Sequence, residues 1–307
     1  MISSSPGTGE GQPDGRGWSF TPSLAVGALA FAFLFFEPAT TLLRDWWNDP
    51  EAAHGLLLGP LAVVLMVRSG LIEDRHARPV LGLTILAAAI LLRIASGLAA
   101  ELFTMRMSMF GALLGLAIYR WGLGQIRHWW LPVALLLLTV PIPAVILGTV
   151  ALPLQLQASE MGAALLRWRD IPVALSGNVI HLPGRSLFVT EACSGLRSLT
   201  ALLSLGLLMG GLWLRSGPAR ATMFLAAIPV AMIINGWRVF LTGFLVVFVD
   251  PSLGEGFMHM TEGWLMFVLA FGILGGIAWL LLRIEDRIRP MNGRLPGAPS
   301  DDSAVVA

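Results

Sequence analysis

The chain has 307 residues, 56% of them hydrophobic and 13% charged, with a net charge of +1 and a mean hydropathy of +0.76. A soluble domain carries charge on roughly a quarter of its residues; here apolar residues run in long blocks, which excludes a soluble domain and indicates an integral membrane protein. The near-neutral balance gives no field for nucleic acid, every basic residue is an arginine, and a single cysteine, Cys193, leaves no internal disulfide.

Residues 1–21 are rich in Ser, Gly and Pro and lack the short apolar core of a signal peptide, so a disordered cytoplasmic tail is expected there. An all-α, multi-spanning membrane domain follows over 22–284, with about eight transmembrane helices. They are expected at 22–43, 55–68, 80–100, 107–119, 129–146, 195–214, 221–249 and 263–282. Pro132, Pro141 and Pro143 fall in the fifth, where neighbouring groups must satisfy the freed backbone. Between the fifth and sixth, residues 154–169 read as an amphipathic helix lying on the outer surface. Residues 173–189 read as a short hairpin turning at Pro183-Gly184 and delivering the chain to Cys193. A second disordered cytoplasmic tail is expected over residues 285–307.

Arginine placement orients the bundle, since cytoplasmic loops retain positive charge. Arg16, Arg68, Arg75, Arg78, Arg120 and Arg127 fall on one side, joined there by Arg215, Arg220, Arg283, Arg287, Arg289 and Arg294. Both termini are then cytoplasmic. The opposite, outer face receives the loop at 44–54, the loop around Glu101 to Arg106, the segment before Cys193, and residues 250–262.

Three groups on that outer face can carry chemistry. Cys193 immediately precedes Ser194 and Gly195, natural entry residues of a helix, where orphan N–H groups and the helix dipole favour a thiolate. Arg197, four residues on, shares its face if the helix begins by Cys193. The alternative is an inert cysteine packed as a small apolar residue. Arg238, in Asn235-Gly-Trp-Arg238, stands near the outer end of the seventh span and needs a partner or a wet cavity; snorkelling to headgroups is the plainer reading. Asn235 lies three residues back, on the same helical face. His259 precedes the last span and suits a general base or an imidazolium partner, with Glu262 placed to orient it; a solvated loop histidine is the alternative. Nucleophile, proton carrier and cation together are the requirements of acyl transfer.

Ala192-Cys-Ser-Gly-Leu-Arg-Ser-Leu, Asn235-Gly-Trp-Arg-Val and His259 followed by Gly263-Trp264 resemble the exosortase/archaeosortase family of membrane cysteine peptidases and transpeptidases, in order and spacing, over roughly residues 24–283. His54-Gly55 after the tryptophan-rich loop resembles the family's first outer motif, although Ala52-Ala53 stands where many relatives carry an aromatic residue and a serine. The resemblance implies Cys193 as nucleophile, Arg238 as electrostatic stabiliser and His259 as proton-transfer partner, with Arg197, Asn235 and Glu262 in support. It implies exported substrates carrying a C-terminal sorting signal, namely a motif, a transmembrane helix and an arginine-rich end. It further implies transfer to a surface polysaccharide or lipid acceptor, no cofactor or metal, and residence in the bacterial inner membrane with the chemistry on the outer face.

Two other classes compete. A transporter would use Arg93 in the third span, Arg238 and the proline-broken fifth span to line a path. A non-catalytic component of polysaccharide export would need none of the three groups. A metal site from His54, His181, His259 and Glu262 lacks any ligand-pair motif.

Overall fold

In lipid every backbone N–H and C=O must find an internal partner, and the apolar blocks meet that demand as helices. The computed structural model describes residues 22–72, 76–189, 196–249 and 257–288. Within them the order is α1 (Pro22–Asn48), α2 (Gly55–Ser69), α3 (Pro79–Leu98), α4 (Leu102–His128), α5 (Trp130–Leu138), α6 (Ala144–Trp168), β1 (Ala174–Ser176), β2 (Val179–Leu182), β3 (Arg185–Phe188), α7 (Leu196–Trp213), α8 (Gly217–Phe248) and α9 (Phe257–Ile288). Five of these, α1, α3, α4, α8 and α9, contain stretches long and apolar enough to cross a membrane, and α2 and α7 are shorter apolar helices. The protein is a multi-pass, all-α membrane protein with one small sheet.

Burial separates the centre from the rim. Of each helix's most apolar window, 56% is buried in α8 and 44% in α4, against 17% in α1 and α3. The rim helices turn Phe33, Phe36, Leu91 and Leu98 outward, as expected where the surrounding solvent is lipid. Helices α3 and α4 run antiparallel, with Gly115 against Leu86 and Gly82 against the backbone of Tyr119.

The fifth expected span is not one helix. It divides into α5 and the start of α6 across residues 139–143, because Pro141 and Pro143 lack an N–H and disfavour helical backbone at the residue before each. At nine residues, α5 reaches about 13 Å, less than half of a hydrocarbon core about 30 Å thick. The expected surface helix at 154–169 is also corrected: it is the second half of α6, continuous through Pro153. Its small and polar face (Gln155, Ala158, Ser159, Ala163) is buried. That half packs alongside α8, in parallel, with Met161 against Gly236, Gly162 against Val239 and Leu166 against Gly243.

The expected hairpin is the β2–β3 pair, and a third strand extends it to an antiparallel meander, β1-β2-β3, with Val179 opposite both Ser176 and Phe188. Gly177 and Gly184 supply the left-handed backbone (φ +59° and +79°) that its two tight turns require. Ile180 and Leu182 from the sheet, Leu166 from α6, and Val239 and Val246 from α8 form one apolar cluster. At about 48 Å for 32 residues, α8 exceeds the hydrocarbon thickness, so its last turns have length to spare for this cluster.

The arginine-bearing connections meet at one end of the bundle. Gln125 and Trp129 both donate to the Gly70 carbonyl, at 3.1 Å each. Arg220 lies over the Trp130 ring, and the Glu285 carboxylate accepts from the backbone N–H groups of Arg215 and Ser216.

Candidate functional site

The other end of the bundle is built around the break after α5. A helix leaves its last carbonyls without intrahelical partners. Here the Trp46 indole Nε1–H donates to the Thr139 carbonyl (2.9 Å), and the His54 ring bridges the carbonyls of Leu138 (Nε2, 3.1 Å) and Glu51 (Nδ1, 3.0 Å). Gly55 and Gly59 are required beside them, because a side chain at either would run into the Trp46 ring. His54 is thus a bracket between the α1–α2 turn and the end of α5. Its reason lies 84 residues away in sequence, where local reading had no access to it.

The same end holds two ion pairs. Arg106 Nη2 contacts Asp45 Oδ2 at 2.7 Å with the arginine buried, and Arg93 Nη2 contacts Glu37 Oε2 at 2.9 Å while its Nε–H donates to the Leu34 carbonyl. Arg93, a candidate for lining a transport path, is therefore a tie between α3 and α1. Arg106 belongs to α4 itself, since the connecting loop closes at Glu101. Glu101 caps α4, accepting from the N–H groups of Phe103 and Thr104 and from the Thr104 hydroxyl. The Thr104 hydroxyl and N–H bonds, with smaller help from Phe103 N–H and Arg106, hold its carboxyl below the ordinary carboxylate range.

Helices α7, α8 and α9 share a second core, in which Leu202 and Met209 meet Met223, Ala227 and Ile234, and Met266, Ala270 and Leu274 of α9 join them. Helix α7 runs antiparallel to α8, with Gly206 against Met223 and Ala227, and Gly210 against Met223. This sets the start of α7 beside the second half of α8: Leu199, Ala231 and Asn235 line one crevice with Met161 of α6.

The sequence candidates distribute over these elements unevenly. Asn235 is buried and Arg238 half-buried, one helical turn apart on α8, which stays helical through Gly236. The Arg238 carbonyl accepts from the Thr242 hydroxyl at 3.0 Å. Arg197 is the second residue of α7, and His259 and Glu262 stand in the first turns of α9. Cys193 lies outside the described residues, three positions before Leu196. The elements carrying Arg197, Asn235–Arg238 and His259 are thus neighbours in one three-helix core. His54 and His181 are elsewhere: His181 pairs with the Ser186 hydroxyl across β2 and β3 at 2.8 Å. Among the described residues no three His, Cys, Asp or Glu side chains gather as metal ligands would.

Sequence reasoning missed Trp46, Asp45 and Thr200 as parts of this end. The tryptophan-rich run 45–47 was the available signal for the first two. Thr200 carried none beyond its position seven residues after Cys193.

Fold and site define a helical, multi-pass membrane protein with polar groups collected at the end of its bundle opposite the arginine-rich connections. The family model described as "Transmembrane exosortase (Exosortase_EpsH)" matches residues 46–276, which include Cys193, Arg238 and His259. The chain belongs to the transmembrane exosortase family. No curated protein and no solved structure matches it.

Proposed function

We propose that the protein is a membrane cysteine peptidase and transpeptidase acting on exported proteins at the outer face of the bacterial inner membrane, with both termini cytoplasmic. The observation that carries this reading is the packing of α7, which begins three residues after Cys193, beside the Asn235–Arg238 turn of α8. The covalent chain alone keeps the Cys193 Cα within about 11 Å of the Leu196 Cα.

In this mechanism the Cys193 thiolate attacks the carbonyl carbon of the scissile peptide bond. Arg238 stabilises the oxyanion that develops, in surroundings where such a charge interaction is worth far more than in water. His259, as imidazolium, gives its proton to the departing amine, the C–N bond breaks, and a thioester remains on Cys193. Neutral His259 then takes a proton from the incoming nucleophile, an acceptor hydroxyl or amine or else water, and the thiolate leaves. Arg197 and the helix N-terminus favour the thiolate, Asn235 supports Arg238, and Glu262 orients His259. The substrates are exported proteins with a C-terminal motif, transmembrane helix and arginine-rich end, and the acceptor is a surface polysaccharide or lipid.

Co-expression with a reporter carrying such a C-terminal signal tests the reading. Cleavage is expected from the parent enzyme and to fall by at least about a hundredfold in each of Cys193→Ala, Arg238→Ala and His259→Ala. Undiminished cleavage by Cys193→Ala would reject it.

A further inference from the structure

A cavity of about 300 Å³ opens at the same end of the bundle, walled by four elements. Phe103 and Met107 of α4 form one side, Val140 and Ile142 of the α5–α6 break another, and Thr200 and Leu203 of α7 a third. Asp49, Glu51 and His54 supply its polar edge from the α1–α2 connection. Protein interiors are close-packed, and an engineered apolar cavity of about 150 Å³ already accepts benzene. A space twice that size has room for a large side chain with part of its backbone.

Fixed links hold the walls around it. Trp46 at the end of α1 and His54 in the α1–α2 connection hold the break, and the Arg106–Asp45 pair ties the end of α1 to α4. Pro141 and Pro143 keep residues 139–143 from continuing the helix. The wall formed by α7 connects the cavity to the proposed chemistry: Thr200 is seven residues from Cys193, so the two Cα atoms lie within about 17 Å, the reach of about five extended residues.

We propose that this cavity is a recognition pocket for the polypeptide substrate, taking an uncharged apolar side chain within about five residues of the scissile bond. The proposal rests on the peptidase reading. Asp49 and Glu51 at the edge accept hydrogen bonds from peptide N–H groups and repel an acidic side chain or a lipid phosphate. A second apolar cavity, between α1 and α3–α4 at Gly27, Phe31, Leu86 and Leu116, has no polar side chain in its lining and suits acyl chains instead. That contrast favours a peptide over a lipid at the outer pocket.

Photo-cross-linking in the full-length membrane protein tests it. A benzophenone amino acid replaces Ile142 in the pocket or, as a control, lipid-facing Phe33, both in a Cys193→Ala background, with the reporter of the preceding section as the probe. Capture of the reporter at position 142, competed by unlabelled reporter, and its absence at position 33 are expected. In the otherwise unaltered enzyme, Leu203→Trp fills the cavity and is expected to raise KM for the reporter about tenfold, with kcat within a factor of about three. Capture of lipid alone at position 142, or an unchanged KM in an active Leu203→Trp enzyme, overturns the pocket. If the parent enzyme cleaves the reporter yet position 142 captures none, the pocket falls and the chemistry stands. If position 142 captures the reporter and the parent enzyme never cleaves it, the chemistry falls and polypeptide binding at the pocket stands.

Discussion

The two halves of the bundle differ in the polar ties added to their helix packing. Around α1–α5 the close α3–α4 contacts at Gly82 and Gly115 are joined by polar, long-range links: Arg93 to Glu37, Arg106 to Asp45, Trp46 to the Thr139 carbonyl and His54 to the Leu138 carbonyl. Around α6–α8 the links are close packing onto Gly162, Gly206, Gly236 and Gly243. Lipid offers no hydrophobic drive between helices, and both halves answer that problem with dense packing, the first adding charge and hydrogen bonds. The first consumes its polar side chains in holding the fold. In the second, small residues make the α6–α8 contact.

Removing the more buried of the two ion pairs breaks this comparison most severely. Arg106→Leu leaves Asp45 without its cation, and about 3 kcal/mol of stability should be lost, read as a lower unfolding midpoint in detergent. Pairing it with Asp45→Asn should restore much of the loss. Arg93→Leu, whose partner Glu37 is exposed, should cost about 1 kcal/mol or less. Equal losses at the two arginines would show that burial does not set the strength of these ties.

In the other half the expected effect is intermediate. A Cβ at Gly162 would come 2.5 Å from Val239 Cγ1. Gly162→Val should therefore force α6 from α8 and cost about 2 kcal/mol. It should lower reporter cleavage more than Arg106→Leu does at equal amounts of folded protein, because α8 carries Arg238. A reversed order of activities would place the functional centre in the first half.

The smallest effect belongs to Glu101. Its carboxyl titrates below the ordinary value of 4.5, mainly through the Thr104 hydroxyl. A folded-state value lower than the unfolded one means the stabilisation is complete above the unfolded value and disappears as pH falls through the folded value. Glu101→Gln should lower stability slightly at neutral pH, flatten the acid limb of a stability profile below about pH 5, and converge on the parent at low pH. An acid limb identical to the parent's would show that the cap contributes nothing.

Much of this architecture was legible because lipid-facing helices leave long uniform runs; α1, α3, α4, α8 and α9 fall where the apolar blocks do. The α5–α6 break was visible as Pro141 and Pro143, yet the apolar residues on either side read as one span. The second half of α6 misled for a different reason. Its polar residues, Gln155 and Ser159, look like a wet face, whereas both are buried, and Ser159 satisfies itself on the Gln155 carbonyl. At the candidate site, residue types and their order were readable at Cys193, Arg238 and His259. The brackets that shape the neighbouring pocket were not, since Trp46 and Thr139 meet across 93 residues with no local pattern to announce it.

The central claim is that Cys193 forms a thioester with the substrate. Intact mass measurement of the full-length enzyme, acid-quenched during turnover of the reporter, tests it directly. An adduct with the mass of the acyl portion, released by hydroxylamine and absent from Cys193→Ala, is the predicted result. Cleavage of the reporter by Cys193→Ala at the parent rate, with no adduct on either protein, would contradict it.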